Sequence, residues 1–180
     1  MIEQKDLLVP TLGECVIASP TKLRSASHED ASFFVSDQRR VRLDVTIPPE
    51  HPSSEPLSLE EAGPREQVFF RPDQTTAAIV TCGGLSPGLN NVIRSVFYEL
   101  TENYGVSKVL GVRNGYLGLN PDSGLEPVVM NTEFVEPIDK LGGTVLGSSR
   151  GPQPPETMVD FLQSAKIDIV FCVGGDGTQR

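Results

Sequence analysis

The chain has no tryptophan, two histidines and three cysteines in 180 residues. Cys15, Cys82 and Cys172 form no CxxC pair and leave an odd count, which argues against a disulfide framework. Cys82 and Cys172 each close an apolar run and are expected to be small buried hydrophobes. Positive charge is scarce as well, with 15 Lys and Arg against 24 Asp and Glu, a net charge of −9. Both halves share the deficit and no Lys/Arg cluster forms a stripe, so neither nucleic acid nor an anionic membrane is an expected partner. An anionic small molecule would need a local pocket of backbone amides and a few arginines. No apolar core follows a basic start, and no apolar run approaches the ~20 residues that span a bilayer, so the reading is a cytoplasmic protein. His28 and His51 sit among polar residues and prolines and are assigned no catalytic role.

What is present divides the chain. Apolar and charged residues make up 38% and 22%, near globular values, with room for one domain or a domain plus an arm. Val41–Ile47 alternates apolar and polar side chains, the period of a half-buried strand. Pro48, Pro49, Pro52, Pro56 and Pro64 then exclude a continuous helix or central strand, leaving space for a short helical turn over Leu57–Ala62. Residues 1–74 therefore read as an extended N-terminal arm and Pro-rich linker, with residues 19–32 expected to be mobile.

From Ala77 onward strand, glycine turn and helix alternate. Ala77–Cys82 has the length of a buried strand. Leu89, Val92, Ile93, Val96, Phe97, Leu100 and Tyr104 form one helical stripe, which Gly105 ends. Val106–Val112 is a second strand and Thr144–Leu146 a short third. Pro137 makes any helix over Thr132–Leu141 start or bend there. Met158, Phe161, Leu162 and Ala165 place a further helix after Pro154-Pro155, before the strand Ile167–Val173. The expected fold class for residues 75–180 is α/β, a parallel, doubly wound, Rossmann-like sheet.

Ligands of such a sheet gather beyond the carboxyl ends of its strands. Three glycine loops reach that edge: Thr81–Asn90 (TCGGLSPGLN), Gly147–Gly151 (GSSRG) and Gly174–Thr178 (GGDGT). In the last, glycine lets the backbone approach a phosphate, Asp176 offers a hard oxygen to Mg²⁺, and Thr178 suits a first helical turn. Arg150, the one basic residue in these loops, could clamp a polyphosphate bidentately or be a solvated surface arginine. Asp176 could equally cap its helix. Tyr116, inside Gly115-Tyr-Leu-Gly118, could stack on a base or plug the rim.

In this order, GGxxPGxN, GYLGL, GGTVLGSSRG and GGDGT closely resemble the 6-phosphofructokinase family, over Ala77–Thr178. Ala62-Gly-Pro-Arg-Glu66 with Phe69-Phe70, and Leu85 where short bacterial enzymes carry aspartate, look like the long ATP-dependent branch of plants and trypanosomatids. The resemblance implies the N-terminal half of a phosphofructokinase fold, truncated at its C-terminal side. It further implies ATP-dependent phosphorylation of fructose 6-phosphate to fructose 1,6-bisphosphate in glycolysis, with Mg²⁺, by a homodimer or homotetramer. It sets Gly83 and Gly84 at the nucleotide phosphates, Tyr116 at the adenine or ribose, and Arg150 and Gly151 against ATP, with Arg150 near the transferred group. Gly175, Asp176, Gly177 and Thr178 would form the phosphate and Mg²⁺ loop. Pyrophosphate-dependent relatives hold aspartate at the Gly177 position, so Gly177 favours ATP. The family's Asp-rich loop, which carries the general base, has no counterpart in the 180 residues, so the chain alone is expected to be inactive. A regulatory or non-catalytic nucleotide-binding paralogue, a pyrophosphate-dependent enzyme and an NAD kinase-like enzyme are the competing readings.

Overall fold

The computed structural model describes residues 2–21, 34–46 and 56–179. His28, His51, Ile47, the prolines at 48, 49 and 52, and most of the segment 19–32 lie outside the described residues. Two compact units are present, Met1–Phe70 and Arg71–Arg180.

The first unit is built from two antiparallel ribbons. They are made by β1 (Ile17–Ala18), β2 (Arg40–Arg42), β3 (Ser58–Glu60) and β4 (Gln67–Val68), with β1 pairing β4 and β2 pairing β3. The helical turn expected over Leu57–Ala62 is therefore strand β3. Leu43 N–H donates to the Leu57 carbonyl (2.8 Å) and Glu61 N–H to that of Arg39 (3.1 Å). Several cross-strand bonds outweigh an isolated helical turn, which fixes three residues for one bond. The strand expected over Val41–Ile47 shortens to Arg40–Arg42. Its alternation marks no covered face, since Val41 is 49% exposed and Val45 87%. Arg65 knits this unit, donating to the Val35 carbonyl and to Glu60 Oε1, each at 2.9 Å.

The second unit runs β5 (Thr76–Thr81), α1 (Leu89–Tyr98), β6 (Lys108–Val112), β7 (Val128–Val129), α2 (Thr132–Val135), α3 (Pro155–Ser164), β8 (Ile169–Val173) and α4 (Asp176–Gln179). Its sheet has the order β7-β6-β5-β8, with β5 parallel to both β6 and β8 and β7 antiparallel to β6. Successive β5 side chains point to opposite faces. Ala77 and Ile79 pack with Ile93 and Phe97 of α1 and Val135 of α2. Ala78 and Val80 pack with Val112 and with Met158, Phe161 and Leu162 of α3. Helices thus cover both faces, as a doubly wound sheet requires.

The stripe on α1 is buried at Ile93 and Phe97, and Leu100 continues it into a π-helical turn, Glu99–Asn103; Val92 faces outward at 41% exposure. Gly105, at φ +71°, turns the chain away. A helix over Thr132–Leu141 is expected to start or bend at Pro137; instead α2 stops at Val135 and a 3₁₀ turn follows over Glu136–Lys140.

Two expectations for the second unit need further correction. Thr144–Leu146 is a turn and not a strand, because its backbone groups are satisfied by a side chain and a loop. Val145 N–H donates to Asn90 Oδ1 and the Leu146 carbonyl accepts from Asn114 N–H, each at 2.8 Å. The third parallel strand is β8. Cys82 is buried as expected, but Cys172 is exposed, because β8 forms one edge of the sheet and among the described residues pairs only with β5. All three cysteines are free.

Candidate active site

Because β5, β6 and β8 are parallel, their carboxyl ends share one edge, and the segments leaving them meet around a cleft of about 830 Å³. Gly83 and Gly84 reach it from β5, Tyr116 from the turn after β6, Arg150 and Gly151 from the loop before α3, and Gly175, Gly177 and Thr178 from the turn after β8. The structure thus brings eight of the nine sequence-predicted site residues to the lining of one cleft. The ninth, Asp176, is the exposed first residue of α4, flanked on both sides by lining residues.

Close packing holds these segments together. Ser148 Oγ donates to the Gly83 carbonyl (2.7 Å), and Gly83 N–H donates to that of Ser149 (3.4 Å). Gly115, at φ +61°, brings the Tyr116 turn so close that a Cβ there would stand 2.9 Å from the Ser149 nitrogen. Tyr116 Oη donates to the Thr178 carbonyl at 2.8 Å, joining the β6 turn to α4. Burial pushes the Tyr116 phenol well above its ordinary range, and the nearby Cys172 thiol adds to the rise. Burial likewise raises the Cys82 thiol, whose position under the glycine loop is that of an inert core group.

The glycines fall into two kinds. A side chain at Gly174 would collide with Thr178, whose buried hydroxyl is tucked beneath the turn. At Gly84, Gly151, Gly175 and Gly177, by contrast, an added Cβ meets nothing within 4 Å. Neither packing nor backbone conformation accounts for glycine at positions 84, 175 and 177, whereas Gly151 stands at φ +95°, which itself favours glycine; all four line the cleft.

The sequence reading missed four further lining residues, Pro152, Gln153, Pro155 and Met158. Met158 reads as core from its helical spacing, and its side chain is only partly buried at the start of α3. Gln153 is oriented by Asn120, whose Nδ2 donates to Gln153 Oε1 at 3.0 Å. The available signal was adjacency to Arg150 in Gly151-Pro-Gln-Pro-Pro155.

The sequence profile described as "PFK: Phosphofructokinase" matches residues 76–180. The chain belongs to the phosphofructokinase family. Relatives named ATP-dependent 6-phosphofructokinase include one from Borreliella burgdorferi, 42% identical over 99% of this chain and 40% of its own length. One from Trypanosoma brucei brucei is 41% identical over 99% of this chain and 37% of its own length. ATP-dependent 6-phosphofructokinase 7 of Arabidopsis thaliana is 40% identical over 82% of this chain and 30% of its own length. The chain thus spans about 40% of the length of the first of these relatives. Plant and trypanosomatid members stand among its relatives, as the motifs suggested. In structure it resembles the pyrophosphate-dependent phosphofructokinase from Marinobacter aquaeolei, with TM-score 0.50 and 21% identity over 58% of this chain and 27% of that one, a likeness of fold. Among the described residues no helix is long and apolar enough to cross a membrane.

Proposed function

We propose that residues 76–180 form the Mg·ATP side of a 6-phosphofructokinase site, and that the whole protein transfers the terminal phosphoryl group of ATP to the 1-hydroxyl of fructose 6-phosphate. The observation that carries this reading is the set of cleft glycines whose Cβ positions are open space. A backbone stripped of side chains on the side facing a cleft is what close approach to a polyphosphate demands.

Gly83 and Gly84 border the nucleotide phosphates, and Gly175 with Gly177 meets them from the carboxyl end of the neighbouring strand β8. Arg150 reaches the transferred group, where a planar guanidinium offers bidentate hydrogen bonds and neutralises developing charge. Tyr116 stands at the nucleoside side. Gly177 leaves room that an aspartate would fill and charge negatively, so ATP is preferred to pyrophosphate.

Mg²⁺ fits these residues. The described residues hold no group of three or more His, Cys, Asp or Glu able to enclose a metal ion. Mg²⁺ asks for less, since it commonly keeps several waters and binds through one or two carboxylates plus substrate phosphates. Exposed Asp176, between two cleft glycines, can supply such a carboxylate. When bound, the ion neutralises charge on the phosphate oxygens.

The sugar-phosphate pocket and general base of the resemblance fall outside these motifs, so the 180-residue chain binds nucleotide without turning it over. The whole protein is proposed to act in glycolysis as a homodimer or homotetramer. Calorimetric titration of the chain with Mg·ATP and with Mg·pyrophosphate tests this. Saturable ATP binding is expected, weakened at least about tenfold, ~1.4 kcal/mol, by Gly177→Asp. A folded chain that takes pyrophosphate and ignores ATP would refute the donor assignment. Formation of fructose 1,6-bisphosphate by the purified chain would refute the half-site assignment.

A further inference from the structure

We propose that Thr81 is a positioning residue: its buried hydroxyl sets the placement of Gly147–Gly151, and so of Arg150, over the cleft. The inference deepens the proposed function and rests on its assignment of Arg150 to the phosphates.

Thr81 is the last residue of β5 and is fully buried, at 0% exposure. Its backbone is already placed by pairing with Val173, so strand geometry alone gives no use for a hydroxyl there. A valine would fill the same volume and suit a central strand better. The hydroxyl instead lies 2.8 Å from Thr144 Oγ1 and 2.8 Å from the Gly147 carbonyl oxygen. Thr144 Oγ1 in turn accepts from Leu146 N–H at 3.2 Å.

The direction of this chain is forced. A carbonyl can only accept, so Thr81 gives its proton to Gly147 and must accept from Thr144. Thr144 therefore donates to Thr81 and accepts from Leu146. Each hydroxyl donates once and accepts once, and removing one leaves the next, partly buried group without that partner. The chain ends on Gly147, which stands at φ +74° immediately before Ser148-Ser149-Arg150.

No regular secondary structure fixes this segment, which runs from the turn at Thr144 to Pro154. Asn90 holds its start, with Nδ2 donating to the Leu141 carbonyl at 2.9 Å. Ser148 clips the segment to Gly83 on the cleft side, and Thr81 pulls it from beneath at Gly147. Arg150 is exposed, and no ion pair with another described residue steadies it. Its place over the cleft is therefore set by the backbone that carries it, and small displacements of a positioning loop are costly in transfer chemistry.

The test uses the full chain carrying Thr81→Val or Thr81→Ser, read by amide hydrogen exchange and by Mg·ATP calorimetry. Thr81→Val is expected to speed exchange at residues 144–149 about tenfold while Ile93 and Phe97 in α1 keep their protection. It is also expected to weaken Mg·ATP by about fivefold or more, and Thr81→Ser is expected to restore both. A folded Thr81→Val chain with unchanged loop exchange overturns the proposal, as does a rise spread equally over loop and α1, or a failure of serine to rescue. If the unaltered chain binds no Mg·ATP, the functional reading fails while the exchange comparison still decides the positioning role. Should Thr81→Val not fold, Thr81→Ala removes the same hydroxyl, with the same expected pattern, Thr81→Ser again as the rescue, and the same overturning results.

Discussion

Gly174 and Gly175 are neighbours of identical chemistry, and the fold uses them differently. Gly174 is fixed by protein packing, because Thr178 occupies the space its side chain would need. Gly175 meets nothing in the protein and borders the cleft. Gly175→Ala should therefore leave the denaturation midpoint within about 0.5 kcal/mol of the parent, as for a surface change. The same substitution should reduce Mg·ATP affinity at least about tenfold by calorimetry. Equal losses of stability and affinity would assign Gly175 to turn geometry instead. Tyr116 makes a different demand. Burial raises its pKa in the folded chain, whereas the unfolded phenol ionises near 10. The neutral phenol thus contributes stability that is fully present below about pH 10 and is lost as pH rises further toward the folded pKa. Urea titrations at pH 9 and pH 11 should show the parent losing more stability between them than Tyr116→Phe does. At pH 9 that variant should be weaker by about 0.5–1.5 kcal/mol, the worth of one hydrogen bond. Tyr104, also raised by burial, is present in both chains and cancels from the comparison.

The elements that the sequence announced are those whose pattern and packing agree. Leu89–Leu100 carries its stripe at helical spacing, and Ile93 at its centre is fully buried between α1 and the sheet. Ile93→Ala should cost about 2–5 kcal/mol, measured as a shift in the urea midpoint at unchanged slope, since it opens a cavity in a rigid contact. β5 was legible for the same reason: both its faces are covered, so it reads as an unbroken apolar run. Thr144–Leu146 was not legible as a turn, because nothing local marks it. Asn90, Thr81 and Asn114, distant in sequence, supply the bonds that replace a strand's ladder. Leu57–Ala62 failed similarly, its strand being made by pairing with Arg40–Arg42. In the site, glycine and Arg150 were readable from chemistry carried on single residues. Pro152, Gln153, Pro155 and Met158 were not, since nothing in their residue types separates a cleft lining from an ordinary loop and helix start.

Taken whole, the cleft draws on residues from Cys82 to Thr178, and no one supersecondary unit contains it. Its segments are brought together only when β5, β6 and β8 are all in register. A nucleotide bound there is linked to the pairing of all three strands and not to one loop. At a hundredfold excess over its Kd, Mg·ATP should stabilise the second unit by about 2.7 kcal/mol. Far-ultraviolet circular dichroism in urea would read this as a rise in midpoint, and its absence at saturating Mg·ATP would deny the linkage. One consequence concerns transplantation. The loop before α3 owes its shape to Thr81, Asn90 and Asn114, none of which lies within it. Residues 141–151 grafted alone onto another parallel sheet would arrive without their supports, so Arg150 would carry its charge but not its aim. The transferable unit is the loop together with those three outlying side chains.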